Sequence, residues 1–140
     1  MNTRTFAMIF GIVFLIVGAG GFIPGLTDMG HMGHPGDAGV TMKTMFGYEL
    51  KLFPVNALHS IVHILFGIWG ILAARSLGGA RGYFRGVAVI YALLTVMGLV
   101  PALYTTFGLI PLYGNDVWLH AVLAIVAAYF GWMNRDTATA

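Results

Sequence analysis

The sequence contains no cysteine. Disulfides, thiolate-bound metals and thiol nucleophiles are therefore excluded. Charge is scarce as well. Only 9% of the 140 residues are Asp, Glu, Lys or Arg, against about 25% in an ordinary soluble domain. The net charge is a small +2, and no basic tract is present, so nucleic acid is not an expected partner. The long apolar runs hold almost no acids, which argues against typical proton-coupled transport. There is no GxSxG, no phosphate-binding glycine loop, no HExxH glutamate and no helix-borne carboxylate pair. No nucleophile and base stand out, and a binding or accessory protein is favoured over an enzyme.

What the chain has instead is apolar length. Hydrophobic residues make up 59%, and the mean hydropathy is +0.86. This predicts an integral membrane protein, all-α, a single transmembrane domain over 1–140. Four helices are expected at about 6–23, 56–74, 84–100 and 116–133, joined by outer loops at about 24–51 and 101–115. Pro24 and Gly25 stop the first helix. A cleavable leader competes for that run, but its length and the lack of a clear small-x-small site favour a retained helix. Gly11, Gly18 and Gly21 mark a packing side. The first loop carries three acids, two lysines, two histidines and four methionines. The second helix comes from Leu52 to Ala74. Asp116 suits the start of the fourth, as a cap or dipole partner.

Arg4, Arg75, Arg81, Arg85 and Arg135 fall on one side of this arrangement, and Lys43 and Lys51 on the other. The basic-residue bias puts both termini in the cytoplasm (N-in, C-in) and both long loops outside. A weak internal repeat is visible. Arg4, Phe14, Gly21 and Pro24 match Arg81, Tyr91, Gly98 and Pro101 at one constant offset, and Leu52-Phe53-Pro54 matches Leu109-Ile110-Pro111. Two tandem helix hairpins are the implied architecture.

All five histidines fall on the outer side. Asn56, His59 and His63, at spacings of three and four, share one side of a helix. His63 lies on the order of 10 Å below the start of its helix, and ionisable groups at such depth face the bundle interior. That side continues through Gly67, Gly70 and Ala74. The side of His120 continues through Ala124, Ala127, Ala128 and Gly131. Both are small-residue sides that suit helix contact. If helices two and four are neighbours, His59, His63 and His120 converge.

Imidazole sets suit zinc, copper, iron or nickel. The candidate metal ligands are His59, His63 and His120, with His34 from the loop as a fourth. Asn56 and Asp116 are candidates for orienting them. Haem is a variant reading, with His63 and His120 as the axial pair, and chlorophyll needs only one such histidine. A purely structural role, hydrogen-bonded to Asn56, Asp116 or loop carbonyls, stays equally open. The loop Met29-Gly30-His31-Met32-Gly33-His34, with Met42 and Met45 beyond it, offers donors for cuprous copper. A plain flexible Gly/Met loop fits its composition better.

The order of a loop histidine, FPVNALHSIVHILFG, an arginine-containing turn and a late NDVWLH resembles a family of small bacterial four-helix membrane proteins. That family is catalogued as domain of unknown function four-three-eight-three. Its pattern falls here on His34, Asn56, His59, His63, Asp116 and His120, with Val117 where a second Asn is expected. The resemblance covers nearly the whole chain and implies a bacterial inner membrane, but no activity. The expected function is therefore a non-enzymatic binding or accessory protein with an outward histidine site. A subunit of a larger respiratory or photosynthetic complex, a homo-oligomer and a haem/quinol oxidoreductase are the alternatives.

Overall fold

A computed structural model describes residues 2–136. Four helices dominate it: α1 (Thr3–Gly20), α2 (Ala57–Ala73), α3 (Leu77–Leu99) and α4 (Asn115–Ala128), the last continuing into a π-turn, Tyr129–Met133. The first three helix starts are fixed by side-chain caps, which satisfy N–H groups the helix leaves over. Asn2 Oδ1 accepts from Arg4 and Thr5, Asn56 Oδ1 from His59, and Ser76 Oγ from Gly79.

The boundaries move at two places. α1 begins at Thr3 and ends at Gly20, earlier than expected at both ends. α3 begins at Leu77, so the stretch read as an arginine-containing turn is helical. Ser76 caps it, and Ala80, Tyr83, Phe84 and Val87 extend its buried side through the arginines. Arg81 and Arg85 then reach across to the carbonyls of Asn134 and Gly131, and Arg4 reaches that of Ala74. Cations at the last carbonyls of helices are favoured. This arginine end also holds both described ends of the chain, since Thr3 donates to Asp136.

The expectation of an all-α chain is corrected. Strands β1 (Thr27–Met29), β2 (Gly47–Glu49) and β3 (Phe53–Val55) form one antiparallel sheet in that order, pairing Thr27 with Glu49 and Glu49 with Phe53. Each strand is three residues long, too short for an alternating pattern to show. The β2–β3 turn holds Leu50 and Lys51 at φ 51° and 60°. Those are left-handed positions that glycine or asparagine would normally advertise.

α1 packs most extensively on α2, and α3 on α4, as two hairpins. Glycine permits the first contact. A Cβ on Gly11 would stand 2.8 Å from the Gly67 carbonyl, and one on Gly18 2.8 Å from the Ser60 carbonyl. Gly67 in turn faces Leu15 and the Gly11 carbonyl. The core joins the hairpins through Phe14, Tyr83, Phe84, Tyr91, Ala127 and Phe130. Outward, Ile16 is 65% and Ile125 70% exposed, apolar surface suited to lipid rather than water. Thr3–Gly20, Leu77–Leu99 and Asn115–Met133 are long and apolar enough to cross a membrane; Ala57–Ala73 is shorter.

Gly67→Ala is expected to destabilise the protein by about 1–3 kcal/mol, because the added methyl meets backbone that cannot yield. Thermal unfolding in detergent reads this, with Gly82→Ala, where a Cβ meets open space, as the neutral control.

Candidate metal centre

The caps place the site. Asn56 holds the start of α2, and its Nδ2 donates to the carbonyls of Met42 and Leu109. One side chain thereby ties both long loops to the helix that carries His59 and His63. Its Oδ1 is used by the His59 N–H. Asn56 therefore positions the histidine-bearing turn through the backbone and makes no hydrogen bond to an imidazole.

His59, His63 and His120 come together. One ring nitrogen of each lies within 4.8 Å of the others. The His59 ring centroid is 4.6 Å from that of His63 and 6.3 Å from that of His120. His59 and His120 are buried, at 3% and 2% exposure. Tyr91 closes one side edge-on against His120, and Phe14 borders His63. Asp116 completes the group. It is equally buried, and its Oδ2 stands 4.0 Å from His59 Nδ1, beyond a hydrogen bond.

The polar atoms here are short of partners. Among the described residues, Nδ1 of all three histidines and Oδ2 of Asp116 are buried and accept or donate no hydrogen bond. An unsatisfied buried polar atom costs on the order of 1–3 kcal/mol, and an unpaired charge more. Three converging imidazole nitrogens with a carboxylate beside them suit a cation, which neutral imidazole and carboxylate bind directly. Tetrahedral zinc requires nitrogens about 3.3 Å apart, so modest side-chain shifts close the site. Three nitrogens leave a fourth position for the carboxylate, water or another ligand.

His34 is not brought to this group. It caps the short 3₁₀ turn Pro35–Gly39, where its Nδ1 accepts from Gly36 and its ring stacks on Tyr113 at 4.7 Å. The capping box there uses Asp37, whose carboxylate accepts from the N–H groups of Gly33 and His34 and the hydroxyls of Tyr48 and Tyr113. Burial alone would raise the Asp37 pKa, but these hydrogen bonds hold it below the ordinary value. His31 and His34 both line a separate surface hollow with Tyr48 and Tyr113. Met29 lies in β1 and Met32 is exposed, so the loop histidines serve the folded cap, not the buried group.

Asp37 was not anticipated as an anchor, although His34-Pro35-Gly36-Asp37 has capping-box spacing with proline at the first position. Glu49 was missed too. It is 7% exposed in β2, and a Cβ on Gly20 would collide with its Oε1. Burial pushes its pKa up to about 7.

Fold and site together define a small, predominantly helical protein of membrane character with a buried three-imidazole group. The sequence model of the family described as Domain of unknown function (DUF4383) matches residues 4–133, and the chain belongs to that family. No curated protein and no solved structure matches it.

Glu49 yields a pH test. Its folded pKa is raised, so its stabilising contribution is fully present below the ordinary value of 4.5 and is lost as pH rises through about 7. Metal-free wild type is expected to lose stability relative to Glu49→Gln between about pH 5 and about pH 8. Parallel melting curves of the two proteins check it; parallel profiles would show that Glu49 is solvated.

Proposed function

We propose that this protein is a membrane metal-binding protein that holds one divalent transition ion on His59, His63 and His120, with Asp116 beside it. The observation that carries this reading is the convergence of three imidazoles and a carboxylate whose buried polar atoms lack partners. All-nitrogen ligation with an adjacent carboxylate suits zinc best and copper, nickel or iron next. No reaction is assigned. Asn56 and the helix caps supply the positioning, and the apolar bundle excludes water.

Haem fits less well. The cavities flanking the histidines measure about 210 and 130 Å³, below the roughly 300 Å³ at which pockets for drug-sized ligands begin. A macrocycle between His63 and His120 requires the helices to separate; a bare ion does not. The same bulk argument applies to chlorophyll.

The orientation in a bacterial inner membrane follows from charge. The arginine end, with both termini, lies in the cytoplasm, and the sheet and the histidine group lie toward the outer side.

Two measurements test this. Elemental analysis of protein purified from its native membrane is expected to give about one metal per chain in wild type, and less than about a tenth of that in His63→Ala or His120→Ala. Equal metal in all three sinks the site. For orientation, single cysteines are introduced into the cysteine-free chain. Met32→Cys is expected to react with an impermeant maleimide in intact cells and Arg75→Cys only after lysis; the reverse pattern inverts the topology.

A further inference from the structure

The connection between α3 and α4 differs in chemistry from the loop between α1 and α2. That first loop carries Asp28, Asp37, Lys43, Glu49 and Lys51, whereas no residue from Gly86 to Asn115 is charged. Part of the connection is turned outward. Phe107 is 77% exposed, more than any other large apolar side chain among the described residues, and Leu99, Val100 and Leu109 are exposed with it. They continue the exposed apolar face of α3 formed by Val89, Leu93 and Val96, which suits lipid.

The backbone presents Phe107 against its own preference. Thr106, Phe107 and Gly108 have φ of 48°, 59° and 88°, left-handed conformations that are rare above all for a β-branched residue such as threonine. Such strain persists where surrounding bonds over-determine it, and it gathers at functional segments. Here the Gly108 carbonyl accepts from the N–H groups of Thr41 and Met42 and from the Thr41 hydroxyl. The Gly108 N–H donates to Thr105 Oγ1, and the Thr106 hydroxyl donates to the Ile110 carbonyl. The N–H groups of Leu103, Tyr104, Thr106, Leu109, Ile110 and Leu112 all donate to carbonyls of the same connection. Backbone groups satisfied in this way do not require water.

Depth points to the partner. Arg85 donates to the Gly131 carbonyl and lies over the Trp132 ring, a cation and an indole of the kind that mark a bilayer boundary. From Arg85 to Leu99, α3 rises about 21 Å. The hydrocarbon core of a bilayer is about 30 Å thick. The remainder of that thickness falls to the connection beyond Leu99.

We propose that the connection between α3 and α4 is seated in the bilayer at the end opposite the arginines, with Phe107 and Leu109 among the lipid acyl chains. This seating requires the membrane character of the chain and is independent of the metal centre.

The absence of cysteine makes a site-directed test direct. Full-length Phe107→Cys, Leu109→Cys, Leu93→Cys and Met32→Cys proteins are labelled with a nitroxide and reconstituted in phosphatidylcholine vesicles. All four side chains are exposed, so the substitutions leave the packed core intact. Power-saturation electron paramagnetic resonance compares collisions with oxygen, which concentrates among acyl chains, and with a neutral nickel chelate, which stays in water. The oxygen-to-nickel ratio is expected to exceed unity at Phe107 and Leu109, as at Leu93 within α3, and to fall below unity at Met32 in the charged loop. A Phe107 label that matches Met32 overturns the seating. So does one that collides little with either reagent, which marks a protein contact. A Leu93 label that also matches Met32 overturns the membrane reading itself.

Discussion

Nδ1 of His59, His63 and His120 and Oδ2 of Asp116 lie buried without hydrogen-bond partners, and this constraint governs the molecule. His59, His63, His120 and Asp116 are placed by helices whose remaining surfaces are built for lipid and for each other. In such surroundings an imidazole or carboxylate must be bonded, neutralised or ligated. A single cation would meet all four demands at once.

The rest of the chain serves that placement. Glycines at Gly11, Gly18 and Gly67 let α1 and α2 approach to backbone contact, which brings Phe14 against His63. Tyr91 from α3 backs His120. Asn56 ties α2 to both long loops through Met42 and Leu109. Beside it the sheet and the Asp37 anchor give the first long loop a fixed shape. That loop has a defined structure. The arginines at the opposite end close the helix termini.

The helices and the histidine triad were legible in the sequence because both depend on one local regularity. His59 and His63 at i, i+4 share a side in any helix, and the repeat that aligns the two hairpins pointed to His120 as their partner. The glycine side was legible for the same reason. The sheet was not, since three-residue strands joined by Leu50 and Lys51 in left-handed conformations leave no periodic or turn signal. The α3 start was masked by the arginines, which look like a loop until their reach to Gly131 and Asn134 is seen. His34 shows the limit of listing ligands by residue type. Its ring nitrogen is committed to Gly36 as a helix cap, and only the three-dimensional path of the loop reveals that.

The central claim is that three helix-borne imidazoles ligate one ion. X-ray absorption at the metal edge, on protein isolated with its native metal, tests it most directly. The expected spectrum shows a first shell of nitrogen and oxygen only, with outer-shell scattering from about three imidazoles. A spectrum without imidazole scattering, or one with the sulfur shell that the loop methionines would supply, contradicts it.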